Sequence, residues 1–312
     1  MRSNGKITAA LLVAALAAVG CSKDETVQNK TSNDQHLQQS AKAQRVSMIT
    51  PSADKQPSEP VKTIVGPASF ADGDAAFKAG KYGEATEVFE RYTLEKPDNA
   101  WGHFMLGLSA SKGGDSEKAE KAFEDAIRID PKHVKSLLNL SRVLIDKGRF
   151  DDASLKLARV GEIDPNSAEM YRLLGRTYNG QHKIDEAIDA YNQAIKMDPN
   201  DAWSLNNLGL MLLEKGQFDE AAVLLGKAVE LKKDIAMFHN NLGMALEHTK
   251  QFTAAASAYK GGLDVDPGYE KAKRNLARVE AVKVDSEEKS VDEVKQPPTE
   301  KLEKTETVTE KQ

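Results

Sequence analysis

A fixed period of 34 residues governs the chain from residue 66 to residue 269. In Ala202–Ile235 the step Leu208-Gly209 is followed by a mid-unit Gly216, then Ala221, an apolar Leu225 and a small Ala228. One period away in either direction the same step recurs as Leu106-Gly107, Leu174-Gly175 and Leu242-Gly243, with Leu140-Ser141 as a near variant. Alanine recurs at Ala85, Ala119, Ala153, Ala187, Ala221 and Ala255, and a closing proline at Pro97, Pro131, Pro165, Pro199 and Pro267. Six units keep phase without an insertion: 66–99, 100–133, 134–167, 168–201, 202–235 and 236–269. Such a unit is too small to bury a core alone, so neighbours must stack and the product is a solenoid.

Each unit is predicted to hold a first helix of about a dozen residues, a turn, and a second helix. Proline lacks an amide proton and excludes its predecessor from the α region, so it ends the second helix and starts the next unit. Gly80, Gly114, Gly148 and Gly216 supply the left-handed turn between helices. His182 and Lys250 occupy that place in the fourth and sixth units. The small residues Gly107, Ser141, Gly175, Gly209 and Gly243 are expected to let two helices approach, with the alanine column facing them. The large residues Phe89, Phe123, Leu157, Tyr191, Leu225 and Tyr259 are expected to fill the space between successive units. The first unit is degenerate, with Asp72 where every later unit has leucine and Ser69 in the column of the pattern's tryptophan, and reads as a polar end cap. In the fifth unit Lys233 replaces proline, so its second helix is expected to run on or turn differently. Glu270–Val284 reads as a C-terminal capping helix with a polar side at Lys271, Lys273, Arg274 and Arg278. From Asp285 to Gln312 the charged sequence, interrupted by Pro297-Pro298, predicts no packed structure.

These residues resemble the tetratricopeptide repeat family, with its pattern of W-x2-L-G-x2-Y, A-x3-F and P, over about two thirds of the chain. The resemblance implies an all-α, right-handed solenoid of six helix–turn–helix repeats plus the capping helix, and a function in binding protein segments. It also implies an inner wall built from the first helices. On that wall it places Trp101, Phe104 and Leu108, then Lys135, Leu138, Asn139 and Arg142, then Arg172, Arg176 and Asn179. Further along come Trp203, Asn206 and Asn207, then Met237, Asn240 and Asn241, and finally Lys271, Arg274, Asn275 and Arg278. Asn139, Asn207, Asn241 and Asn275 share one column, interrupted by Met105 and Leu173, and are similar to the peptide-gripping asparagine ladder of O-GlcNAc transferases. A side-chain amide carries donors and an acceptor and so can pair with an extended backbone; the column is equally what family consensus alone would leave. Arg142, Arg172 and Arg176 make a cationic patch suited to a carboxylate. A full carboxylate clamp is not completed, because Met237 and Asn241 stand where its last basic pair belongs. Trp101 and Trp203 are candidate partner anchors or packing residues of the repeat.

The N-terminus adds a second set of expectations. Arg2 and Lys6 precede an apolar run, Ile7–Val19, too short to cross a bilayer and matching a secretory signal over 1–20. Ala18-Val19-Gly20-Cys21 resembles the lipobox of bacterial lipoproteins, which implies lipidation of Cys21 and a stable acyl anchor; a cleaved signal with a chance cysteine, or an uncleaved anchor, are the alternatives. Ser22 after the cysteine implies the periplasmic face of the outer membrane. The segment 21–65 is polar and predicted to be a disordered tether, with a root-mean-square span of roughly 35–40 Å.

A net charge of −5 gives no basic footprint for nucleic acid. A single cysteine excludes an internal disulfide framework. The histidines show no paired-ligand spacing, and no phosphate loop or nucleophile elbow is present, so neither cofactor, metal nor enzymatic activity is expected. The expected function is a membrane-anchored scaffold binding extended or C-terminal segments of envelope proteins. Its layout resembles tight-adherence and type IV pilus assembly lipoproteins. The competing readings are a docking regulator of cell-wall hydrolases or synthases, and an accessory subunit of a secreted enzyme or polysaccharide machine. Oligomeric state is not encoded in these features.

Overall fold

A computed structural model describes residues 68–295, with side chains to residue 282. The expected signal segment, Cys21, the tether over 21–65 and the chain beyond Lys295 lie outside the described residues. Among the described residues there are thirteen α-helices and no strand. They pair as α1 (Phe70–Lys78) with α2 (Tyr82–Glu95), α3 (Ala100–Lys112) with α4 (Ser116–Ile129), and α5 (Val134–Asp146) with α6 (Phe150–Ile163). The series continues as α7 (Ala168–Gly180) with α8 (Ile184–Met197), α9 (Ala202–Glu214) with α10 (Phe218–Leu231), and α11 (Ala236–His248) with α12 (Phe252–Val265). A last helix, α13 (Glu270–Lys295), packs on α12. No described helix is long and apolar enough to cross a membrane.

The turn inside each hairpin depends on one left-handed residue. Gly80, Gly114, Gly148 and Gly216 have φ of 74, 87, 74 and 76°, and His182 and Lys250 are held at 62 and 61°. Between hairpins the second helix ends on a turn in which Asp130, Asp198 or Asp266 accepts from the amide two residues on, at 3.0, 3.0 and 2.9 Å. The fifth repeat lacks both the aspartate and the proline, yet α10 still stops at Leu231 and the same short turn follows. Tertiary contacts replace the local signal there: Phe238 is fully buried, and His239 Nε2 lies 2.9 Å from the Lys233 carbonyl oxygen. His103 holds the Pro97 carbonyl the same way, at 3.0 Å.

Inside each hairpin the small and large columns meet. A Cβ added to Gly107 would lie 2.7 Å from the Phe123 ring; at Gly175 and Gly243 it would lie 2.5 Å from Tyr191 and Tyr259, and at Gly209 2.6 Å from Leu225. The large residues therefore sit over the small residue of their own repeat. They are the atoms nearest the small column, and Tyr191 and Tyr259 also interact with Asn207 and Arg278 of the following unit. All six alanines are fully buried, as are the six large residues.

The two ends depart from the expected boundaries. Helix α1 starts at Phe70, leaving Ser69 as its N-cap, with Oγ accepting from the Asp72 amide at 3.1 Å. The polar residues of the degenerate unit thus begin a shortened helix. At the other end α13 continues past Val284 to Lys295. Residues 285–295 contain no glycine or proline, and the first breaker is Pro297, so nothing local stops the helix at 284.

Candidate protein-binding face

The first helices α3, α5, α7, α9, α11 and the start of α13 repeat the same columns, so their equivalent side chains form rows along one face. Its character changes along the stack. In the second repeat, and at Leu138 of the third, it is apolar and aromatic. Phe104 and Leu138 are buried at 5% and 6% exposure, while Trp101 keeps 41%. The Trp101 ring lies 5.0 Å from Phe104 and 5.5 Å from His133, and Lys135 Nζ stands 4.9 Å from the indole centroid. No carboxylate pairs with Lys135 among the described residues. His133 caps α5, its Nδ1 accepting from the Ser136 amide at 3.2 Å. Burial lowers its pKa, against a smaller upward pull from Asp130, and Lys135 lowers it further.

The arginine patch is electrically closed. Arg142 pairs with Glu169 and donates from Nη1 to Asn139 Oδ1 at 2.7 Å. Arg172 pairs with Asp201 at 3.0 Å and stands 3.8 Å from Glu169. Arg176 pairs with Asp146 at 2.7 Å. The expected cationic patch therefore corrects to three arginines interleaved with three carboxylates. Glu169 and Asp146 reach Arg142 and Arg176 from an adjacent repeat, and Asp201 reaches Arg172 from the N-cap of α9, which is why a column-by-column reading passes over them.

The asparagine column is also internally engaged. Asn139 donates to the Lys135 carbonyl at 2.8 Å. Farther along, the amides join into a chain with one direction. Arg278 Nη1 donates to Asn275 Oδ1 at 3.1 Å, and Asn275 Nδ2 to Asn240 Oδ1 at 2.9 Å. Asn240 Nδ2 then donates to Asn241 Oδ1 at 3.5 Å, the longest link. Asn241 Nδ2 donates to Asn206 Oδ1 at 2.9 Å, and Asn206 Nδ2 to Asn207 Oδ1 at 3.2 Å. Asn206, Asn207, Asn240 and Asn241 are at most 7% exposed. The open row of amides expected from the sequence is instead a buried seam, in which each repeat's second asparagine donates to its predecessor's first. The doubled asparagines of two consecutive repeats were the signal in the sequence: one of each pair has a neighbour one period plus one residue away.

Of the remaining wall residues, Trp203 is half-buried and packs edge-on against Phe238 at 5.0 Å. Arg274 is exposed and Asn275 half-buried. Arg278 also grips Glu247 with two nitrogens at 2.7 Å, and Tyr259 donates to the same carboxylate at 2.8 Å. Burial raises the Glu247 pKa, but the Arg278 and Tyr259 hydrogen bonds together outweigh it and hold the group below its ordinary value. Among the described residues no group of three metal-ligating side chains comes together.

Stacked two-helix units with a constant repeat and a shared first-helix face define a helical-repeat solenoid, a class built to present surface. The repeats are tetratricopeptide repeats: models of that family match residues 70–134, 110–177, 168–201 and 190–222. Among solved structures, the anaphase-promoting complex hetero-tetramer Cut9–Hcn1 superposes with a TM-score of 0.61 at 19% identity, over 66% of this chain and 41% of that one. Yeast Tom70 gives 0.54 at 18% identity, over 65% of this chain and 44% of that one. At such identity the likeness is one of fold. A curated relative, the probable biofilm formation methyltransferase WspC of Pseudomonas aeruginosa, is 29% identical over 106 residues, 34% of this chain and 24% of that protein. The chain thus spans less than half of either structural neighbour and about a quarter of the methyltransferase. The resemblance to pilus-assembly lipoproteins draws no support from these proteins and rests on the Cys21 segment and the repeat count.

Proposed function

We propose that the protein is a non-enzymatic scaffold, lipid-anchored through Cys21 at the periplasmic face of the outer membrane, that binds extended or C-terminal segments of partner proteins on its first-helix face. The proposed setting is the assembly of an envelope, pilus or secretion complex. One observation carries the binding reading: the face changes from a self-satisfied seam to an open aromatic patch. Toward the C-terminus the amides and arginines already hold partners within the chain. In the second and third repeats Trp101 remains 41% exposed beneath the ammonium of Lys135. An exposed tryptophan with a cation over it offers apolar area, a π face and a charge for a carboxylate. A peptide arriving there displaces water, whereas one arriving at the amide seam must break hydrogen bonds already made.

The test is photocrosslinking in cells from a probe placed at Leu108, followed by mass spectrometry of the captured proteins. Trp101→Ala with Lys135→Glu should lower capture at least tenfold, while Arg274→Ala, far along the face, should leave it near the wild-type level. Equal capture by both variants would remove the aromatic patch from the binding site. The anchor is tested apart from binding: Cys21→Ser should move the protein from the membrane pellet to the soluble fraction.

A further inference from the structure

A second recessed surface lies between the second helices of the fourth and fifth repeats, α8 and α10. It is a cleft of ≈ 420 Å³. Ile188 and Leu224 line it as half-buried apolar walls, with Leu212 of α9 at 7% exposure below them. Asp189 and Glu220 stand at its rim, and neither has a basic partner among the described residues. A bridge of 2.7 Å from Lys215 to Asp185 marks the remaining edge.

The matching junction two repeats earlier shows why this one is open. There Glu120 occupies the column of Ile188, and it binds Lys147 at 2.6 Å and also Arg149. Here isoleucine has replaced the glutamate, and Gln217 has replaced the arginine. The ionic closure is gone: Glu220 keeps the acid that Asp152 supplies in the earlier junction, Asp189 brings a carboxylate where Lys121 stands there, and neither has a counterion among the described residues. An apolar floor below unpaired carboxylates selects one kind of occupant: a long aliphatic stem ending in a cation. Acidic side chains and nucleic acid phosphates are repelled by the same rim.

We propose that this cleft docks an arginine side chain presented by a protein partner, its methylenes against Ile188 and Leu224 and its guanidinium between Asp189 and Glu220. Arginine is favoured over lysine because its planar, weakly hydrated fork can engage two carboxylates while its stem covers apolar surface. The site lies on the second helices and does not depend on the first-helix face being the one that binds peptide.

Butylguanidinium titrated into full-length protein with labelled isoleucine and leucine methyl groups tests the proposal by nuclear magnetic resonance. Saturable shifts are expected at Ile188 and Leu224, tighter than with butylammonium and absent with butyrate. Asp189→Asn with Glu220→Gln should weaken binding at least tenfold without moving the Trp101 indole resonance. A second variant, Ile188→Glu with Gln217→Arg, rebuilds the closure of the earlier junction and should abolish the shifts while circular dichroism stays helical. Shifts that never saturate, that persist in either variant, or that butyrate reproduces would overturn the site. Capture from Leu108 that Trp101→Ala with Lys135→Glu leaves undiminished, with these shifts intact, would fault the first-helix reading alone.

Discussion

Two stretches of the first-helix face solve the same stacking problem with different chemistry. In the second and third repeats the columns that meet between hairpins carry Phe104, Met105 and Leu138, and Phe104 lies 6.0 Å from Phe123. From the fifth repeat to α13 the corresponding columns carry Asn206, Asn207, Asn240, Asn241 and Asn275, joined by directed hydrogen bonds. Apolar contacts are non-directional and tolerate a shift, whereas an amide chain has one register. The hairpin interior, a small residue under a large one, is the same in both. The repeat therefore fixes its inside and leaves its seam free to vary, and with the seam goes the availability of the face.

The largest effect should be blind to that difference. Phe123→Ala and Tyr259→Ala remove the same column from the two stretches, and each should cost about 3–5 kcal/mol. Because a repeat array need not unfold in one step, the loss is best read by hydrogen exchange in each mutated hairpin. A loss at one position several-fold larger than at the other would mean that the hairpin interiors are not equivalent, and the comparison would fail at its root. The next effect should separate the stretches. Asn240→Ala strands the Asn275 and Asn241 amides in a buried seam and should cost about 1–3 kcal/mol, with faster exchange in α13. Asn139→Ala, half-exposed and bonded only within α5 and to Arg142, should cost no more than about 0.5 kcal/mol. Equal losses in urea titrations would deny the seam its special standing.

The repeat period, the hairpin turns and the identity of every buried glycine and alanine column are legible in the sequence because each is imposed by backbone geometry within a single unit. A left-handed turn needs glycine or tolerates a strained substitute, and Gly80 through Lys250 show both. What faces those columns is less legible. Spacing along a helix gives direction but not depth, so Phe123 and Tyr191 can be assigned to the core without showing that they cover Gly107 and Gly175. The site is harder still, because Asn206 finds its partner in another unit, 35 residues away, and Arg172 finds its own on the N-cap of the next first helix, 29 residues away. Their chemistry is visible in the sequence, and the fact that it is already spent is not.

Acid should expose a smaller contrast. His133 is held below its ordinary 6.5 by burial, so the folded state binds fewer protons than the unfolded chain in that range. Its contribution is complete above that value and is lost as pH falls through the folded pKa. Glu247, held below 4.5 despite burial by Arg278 and Tyr259, contributes fully above that value and loses its share only as pH drops through its own lower folded pKa. Glu120 behaves alike, its burial outweighed by Lys147 and Arg149. Acidification from neutrality should therefore loosen the stretch around α5 first, and the contact between α11 and α13 only below about pH 4.5. Hydrogen exchange corrected for its intrinsic pH dependence should show the two steps. His133→Asn, which retains an N-cap, should erase the upper one. A single transition below 4.5 in both proteins would mean that His133 does not titrate with folding.

The smallest effect distinguishes the stretches by their turns. Gly148 and Lys250 hold equivalent left-handed positions, at φ 74 and 61°. A side chain there brings its Cβ toward the following carbonyl, a strain of roughly 1–2 kcal/mol that glycine avoids while losing more freedom on folding. Lys250 is exposed and makes no described ion pair or hydrogen bond that its removal would sacrifice. Lys250→Gly should therefore stabilise the sixth hairpin by about 0.5 kcal/mol, and Gly148→Ala should weaken the third by about 1 kcal/mol. In thermal melts these amount to roughly 1–2 °C upward and 2–4 °C downward. Should Lys250→Gly destabilise instead, the lysine must be contributing to the hairpin through something other than its backbone, and the C-terminal turns would have to be regarded as selected for their side chains.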